Sequence, residues 1–403
     1  MKVWAYHKEQ GAGIMTSNIM WGMLIGSMVT FANLYGPQTF IQHFTNDFHL
    51  TSSQASLALS ISTFTLAFSM LIMAAISNSI GRKNIMVFSL ISSSLLYLVV
   101  GFAPNFETLL GIRALQGIAL SGFPAIAVTY LAEELAAKEF PKVLGIYITG
   151  SGFGGFFGRI VSSTMLDLTN WHVAIWTLGT LTTVLSIVFM LLIAPSKNFY
   201  KTRFSFHNWG HGLLEACKDA KLLYFYGLGF LALGVYVAVF NFVGFPLMAH
   251  YGLSQTIVGF VFIFQLLGSI GSMTVGRLSG RFTRGQMLRV SLVVTAVGLA
   301  LTMMPSLISM LAGLFIISCG FFAWHNLVSG WVSSSAAPDV KAYASSLYLL
   351  FYYIGSSVIG TLGGHFYDLY DWNGAALLLI GCTALAFVFV VLIKLRIKHT
   401  AVV

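Results

Sequence analysis

Two arginines, Arg113 and Arg159, stand inside stretches that are otherwise apolar, where a fixed charge is costly unless it meets a polar cavity or a partner. Apart from arginine, the ionisable residue deep in such a stretch is His325, flanked by Trp324 and Asn326. An imidazole titrates near neutral pH and could carry a proton, although a lone histidine among apolar residues is more often a hydrogen-bonded core residue. All twelve carboxylates (Glu9, Asp47, Glu107, Glu133, Glu134, Glu139, Asp167, Glu215, Asp219, Asp339, Asp368 and Asp371) fall in loops or at the ends of apolar stretches. Two sunken cations then have two resolutions: acids such as Glu107 or Asp167 fold back onto them, or a bound molecule brings negative charge. This chemistry handles anions and protons rather than cutting bonds. There is no His-Glu-x-x-His, no pair of buried aspartates and no phosphate-binding Gly-x-x-x-x-Gly-Lys loop. A Ser-His pair would need His325 beside a serine in an oxyanion setting. Cys217, Cys319 and Cys382 lack disulfide or metal spacing, so neither metal nor cofactor is expected.

The elements that carry these residues follow from composition. Of 403 residues 57% are hydrophobic and 8% charged, against roughly 25% charged in soluble domains. Twelve apolar runs are predicted, near 15–40, 53–77, 84–102, 107–132, 142–166, 173–194, 223–247, 254–275, 286–305, 307–334, 342–365 and 374–394. Each is long enough to cross a bilayer core, which takes about 20 residues. They must be helices, because lipid offers backbone polar groups no partner and the runs lack the alternation of barrel strands. Met1–Gly13 is short and polar, with no cleavable signal expected. With the N-terminus inside, 19 of the 21 Lys and Arg fall in cytoplasmic segments, and the other two are Arg113 and Arg159. The formal charge of +9 therefore reads as membrane orientation, with both termini cytoplasmic and no nucleic-acid partner. The expected location is a multi-pass place in a bacterial inner membrane.

The longest polar stretch, 195–222, divides the chain into predicted six-helix bundles 1–194 and 223–403, with 195–222 as a cytoplasmic linker. Tyr147, Gly150, Ser151, Gly155 and Gly158 match Tyr352, Gly355, Ser356, Gly360 and Gly363 at one offset of 205. Asn33-Leu-Tyr-Gly-Pro likewise echoes Asn241-Phe-Val-Gly-Phe-Pro. Duplicated halves of this kind belong to transporters, whose substrate site lies at the repeat interface near the bilayer midplane.

Four motifs add detail. Asn78-Ser-Ile-Gly81-Arg82-Lys83 joins the second and third runs, and Gly276-Arg277-Leu-Ser-Gly-Arg281-Phe-Thr-Arg284 stands at the equivalent place in the second half. The fourth run holds Arg113-Ala-Leu-Gln116-Gly117. The fifth reads Gly150-Ser-Gly-Phe-Gly154-Gly155-Phe-Phe-Gly158-Arg159, with a glycine every fourth residue, as close packing against a neighbouring helix requires. These segments resemble the signature loop Gly-x-Leu-x-Asp-Arg-x-Gly-Arg-Arg, the Arg-x-x-Gln-Gly motif and the antiporter motif Gly-Pro-x-x-Gly-Gly of the major facilitator superfamily. Over most of the chain the resemblance is to its YnfM-like group of twelve-helix drug:proton antiporters. It implies an all-α membrane protein of two pseudo-symmetric six-helix bundles, a proton-coupling role for Arg113 and a conformational latch in the loops. Asn78 and Gly280 occupy the acidic position of the latch, and Ser151 occupies the proline position of the antiporter motif.

The expectation is a monomeric secondary transporter that uses no cofactor and whose partners are protons, a small-molecule substrate and the lipid bilayer. Proton-driven export by alternating access comes first and uptake by proton symport second; an intramembrane enzyme or a sensor with a soluble output domain finds no support. The lack of an interior acid favours an anionic or zwitterionic substrate, such as a carboxylate-bearing metabolite or a metal chelator, over a lipophilic cation, with drug-like molecules also in range. Arg113, Arg159, His325, Gln116, Asn33 and Asn326 are the candidate pathway residues. Trp171, Tyr251, Tyr367 and Trp372 are expected to form an interfacial belt, Trp21, Trp324 and Phe322 to be better placed for a cavity, and Phe206 to Leu223 to form an amphipathic surface helix.

Overall fold

The computed structural model describes residues 2–196, 198, 206–337 and 340–400, with side chains over 16–77, 79–196, 198, 209–337 and 340–393. The regular secondary structure of the described residues is helical. In the first part of the chain α1 (Lys2–Tyr35) passes through a 3-10 turn (Gly36–Phe40) into α2 (Ile41–Asp47). There follow α3 (Ser52–Ile80), α4 (Arg82–Val100), α5 (Phe106–Leu120), α6 (Gly122–Glu134), α7 (Phe140–Leu168) and α8 (Trp171–Leu192). A short α9 (Phe206–Lys218) precedes α10 (Ala220–Phe242), α11 (Gly244–Ala249), α12 (Gln255–Val261), α13 (Ile263–Leu267) and α14 (Ser269–Leu278). The chain ends with α15 (Arg284–Thr302), α16 (Leu307–Ser335) and α17 (Lys341–Thr400).

Ten helical segments among the described residues are long and apolar enough to cross a bilayer. The last of them is two helices, because Tyr370 and Asp371 leave helical geometry in the middle of α17. The 29-residue α7 is not among the ten, because its glycines, serines and threonines dilute its apolar character. The bounds of the ten segments follow the corresponding apolar runs read from the sequence, except that the first continues to Asp47 rather than ending near residue 40.

Breaks inside spans have local causes. Pro124 lacks the N–H that would continue the helix ladder, and α5 gives way to α6 just before it. The Ser89 hydroxyl of α4 enters the gap, donating to Ala119 O at 2.6 Å and accepting from Phe123 N at 3.1 Å, so these two backbone groups keep a partner.

Contacts divide the chain into two compact units, one of Met1–Pro37 and Phe68–Phe204, the other of Gln38–Ala67 and Ser205–Val403. In the first, Ile19, Met23, Leu90, Phe123, Ile126 and Phe189 belong to a fully buried cluster, with Phe123 and Phe189 edge to face at 5.6 Å. In the second, α10 is buried along almost its whole length against α16 and α17. Two of the expected belt residues turn inward. Trp171 and Trp372 are each 5% exposed, and Trp372 Nε1 donates to Thr302 O at 3.0 Å, because an indole N–H finds a better partner there than in the acyl region. Trp21 is half exposed and Trp324 fully buried. The helix expected near Phe206 forms as α9, and Asp219 ends it by capping α10 through Lys221 N at 2.8 Å.

Candidate functional site

The last carbonyls of any helix lack intrahelical partners and carry the negative end of its dipole. At the end of α1 they are met by Arg113, which is wholly buried. Its Nη1 donates to Asn33 O at 3.1 Å and to Gln116 Oε1 at 2.5 Å, and its Nη2 donates to Leu34 O at 3.2 Å. The Arg-x-x-Gln spacing has its reason here: residues three apart share a helix face, so Gln116 stands beside the guanidinium it orients. Gln116 Nε2 in turn donates to Ser93 O at 2.9 Å. Asn33 Nδ2 donates to Ser94 Oγ at 3.0 Å, while Asn33 Oδ1 is buried without a protein donor among the described residues. Tyr97 and Ser162 close the group, with the Tyr97 hydroxyl in electrostatic reach of Arg113. Gly36 is needed for this approach, since a Cβ there would lie 2.6 Å from Leu178 and 2.8 Å from Tyr97 Oη.

Arg159 reaches the same helix end from α7. It is 2% exposed, its Cζ lies 4.6 Å from the centre of the Tyr35 ring, and its Nη1 donates to Gly155 O at 3.0 Å. The glycine stripe makes the approach possible. Gly150 faces Leu24 and Ser27 of α1, Gly154 faces the backbone of Met28, and Gly158 faces Ala32. Leu24, Met28 and Ala32 are themselves four apart, so the glycine face of α7 lies directly on the backbone of α1. The second unit repeats the device: Gly355 meets the Phe230 backbone and Gly363 the Ala238 Cβ, with α17 on α10 as α7 is on α1. Glu107, one of the acids expected to fold back, is exposed in the first turn of α5, and Asp167 is exposed near the end of α7.

The first-half loop is tied down by charge. Gly81 has φ +108°, a conformation that favours glycine, although space around it is open. Arg82 is nearly buried and pairs bidentately with Glu133 of α6, Nη2 to Oε1 at 2.8 Å and Nε to Oε2 at 3.1 Å, and Nη1 also donates to Ser77 Oγ. Lys83 Nζ caps the end of α8 through Ile193 O at 2.7 Å. The side chain of Asn78 lies outside the described residues. Glu133 was the residue to look for once the motif's own acid was missing, since the Glu133-Glu134 pair closes the neighbouring span on the same membrane face. Gly276, Gly280, Arg277 and Arg281 of the second-half loop are all exposed instead.

In the second unit His325 Nδ1 lies 2.9 Å from Tyr348 Oη, and its ring centre lies 4.7 Å from that of Tyr352 and 6.1 Å from that of Phe321. Tyr236 stacks on Phe321 at 3.8 Å. The half-buried imidazole is thus part of an aromatic wall with one phenol partner. Its neighbour Asn326 turns away, exposed, and donates to Ser272 Oγ of α14 at 2.5 Å. Asn241, the counterpart of Asn33, accepts from Gln38 Nε2 at 2.6 Å. Asp368 stands at a span end and, with Glu107 and Asp167, is an alternative proton site should His325 not carry the proton. It receives the Ser52 and Ser53 amides at 2.9 and 3.1 Å and so caps α3, a favourable place for negative charge. Among the described residues no cluster of His, Cys, Asp and Glu could hold a metal.

The profile of the Major Facilitator Superfamily matches residues 23–360. The MFS-type transporter YybF of Bacillus subtilis is 38% identical over 346 residues, 86% of this chain and 85% of that protein. The inner membrane transport protein YnfM of Escherichia coli is 34% identical over 348 residues, 86% of this chain and 83% of that one. The crystal structure of the nucleoside transporter NupG superposes with a TM-score of 0.76 at 15% identity, covering 93% of this chain and 99% of that one, a likeness of fold. Apolar crossings and bacterial relatives of this kind make it a multi-pass inner-membrane protein. With a profile match over most of its length, two relatives above 30% identity and this helical architecture, the chain belongs to the major facilitator superfamily and has the fold of a secondary transporter.

Proposed function

We propose that this transporter is a proton-coupled exporter of a small anionic or zwitterionic organic molecule, acting as a monomer by alternating access. Carboxylate-bearing metabolites and metal chelators are the substrates of choice. The observation that carries this reading is the convergence of two buried guanidiniums, Arg113 and Arg159, on one helix end at Asn33–Tyr35. Asn33, Leu34 and Gln116 are neutral acceptors, and these bonds orient the Arg113 guanidinium. No carboxylate is placed in a span interior to welcome a cation. His325 takes the proton, with Tyr348 as the neighbour that senses its protonation. Residues 1–194 and 223–403 act as the two moving bundles, both termini are cytoplasmic, and the Arg82–Glu133 pair holds the first-half loop through the cycle.

Uptake by proton symport is the second reading. It is favoured by Ser151, which replaces the proline of the antiporter motif and donates to Tyr147 O at 2.9 Å, so that α7 continues as an unbroken helix. Proteoliposomes under an imposed pH gradient test both. The expected result is proton-driven movement of organic anions, abolished in Arg113→Ala and uncoupled from protons in His325→Ala. Transport of lipophilic cations that survives loss of both arginines would refute the substrate class. Normal proton exchange by His325→Ala would move the proton site elsewhere.

A further inference from the structure

Helices α14, α15 and α16 enclose a cavity of about 560 Å³ that plays no part in the reading above. Its walls are apolar, with Ile270, Val290, Val294 and Phe315 along its length and Leu278 and Phe282 at one end. Ile270, Val290 and Phe282 are also 47%, 63% and 51% exposed, so the cavity opens sideways onto the surface that lipid covers. Its volume is within the range that buries a drug-sized ligand.

The end at Leu278 and Phe282 is where charge collects. Arg277, Arg281 and Arg284 alternate in sequence with the lining residues Leu278, Phe282 and Gln286, and all three arginines are exposed. Arg284 donates to Ser334 Oγ at the end of α16, which keeps its guanidinium at this end of the helices. Arg289 follows one turn later and donates to Gly285 O at 3.1 Å. From residue 220 to residue 338 the sequence contains no Asp or Glu, so nothing within these spans balances the four arginines. In the first half the equivalent arginine, Arg82, is spent on Glu133. A lateral apolar slot ending in guanidiniums that have no acidic partner among the described residues complements one kind of molecule: an apolar chain joined to a phosphate.

We propose that this cavity is a binding site for an anionic phospholipid, with one acyl chain between α14, α15 and α16 and its phosphate on Arg277, Arg281 and Arg284. Juxtamembrane arginines each contribute on the order of fivefold to anionic-lipid affinity. The full-length protein is reconstituted in phosphatidylcholine bilayers containing a trace of phosphatidylglycerol with a photoactivatable diazirine in its chain, or of phosphatidylcholine with the same chain. Labelled peptides are then mapped by mass spectrometry. Phosphatidylglycerol is expected to label α14–α16 many-fold above phosphatidylcholine. Arg277→Gln and Arg281→Gln should each remove about fivefold of that excess, leaving phosphatidylcholine labelling unchanged. Val290→Trp, which adds bulk to an exposed wall, should suppress labelling by both lipids. Equal labelling of α14–α16 by the two probes in the wild type, or labelling by phosphatidylglycerol confined to other helices, would overturn the proposal. The wild-type comparison decides without any variant, and it is independent of what the protein transports.

Discussion

The adjacent glycines of α7 offer a sharp test of helix packing. A Cβ at Gly154 would lie 2.8 Å from the Met28 carbonyl carbon and closer still to its Cα and O, all backbone atoms of α1. To regain ordinary carbon separation the two helices must part by about 1 Å. A Cβ at Gly155 would meet only Arg159 Nη1 at 3.2 Å, the end of a flexible side chain, and Tyr35 Cδ2 at 3.7 Å. Both substitutions gain the same helix propensity, about 1 kcal/mol for Gly to Ala, so that contribution cancels in their difference. What remains is the overpacking penalty of about 1–3 kcal/mol at position 154. Gly154→Ala is therefore expected to unfold more readily than Gly155→Ala by that amount in mixed micelles, and to transport more slowly in proteoliposomes. Gly355→Ala, against the Phe230 backbone, should reproduce the defect in the second unit. If Gly155→Ala is as damaging as Gly154→Ala, close approach is not what these glycines provide, and the packing argument fails.

Three further outcomes follow from named contacts. Arg113→Met strips the α1 carbonyls and Gln116 of their donor and should destabilise the protein by about 3 kcal/mol or more in the same unfolding assay, with Arg113→Lys recovering only part. Glu133→Ala leaves Arg82 without its bidentate partner and should cost about 2 kcal/mol, below the 3–5 of a fully buried pair because Glu133 is 25% exposed; an unchanged unfolding midpoint would contradict the pairing. Asp368→Asn keeps the shape but removes a charge worth about 0.3–1 kcal/mol at the start of α3, so the Ser52 and Ser53 amides should exchange hydrogen faster than in the wild type.

Solvent decided the fold class before any contact formed. Apolar runs of bilayer length can only be helices, and their ends were legible because charges collect in the loops. The repeat was legible for the same kind of reason, since Gly150 with Gly355 and Gly158 with Gly363 answer one geometric need, the passage of a helix close to its neighbour. Partners were not legible. Nothing local in Arg113-Ala-Leu-Gln116 says that the guanidinium ends on carbonyls 79 and 80 residues away, or that Arg82 reaches Glu133 across 51 residues. Asn326 adjoins His325 in the chain yet bonds Ser272, because neighbours along a helix point about 100° apart and so serve different faces. Periodicity along a chain shows which residues share a face; only the packing of helices in three dimensions chooses what that face meets, because in lipid the choice rests on shape and hydrogen-bond satisfaction rather than on hydrophobicity.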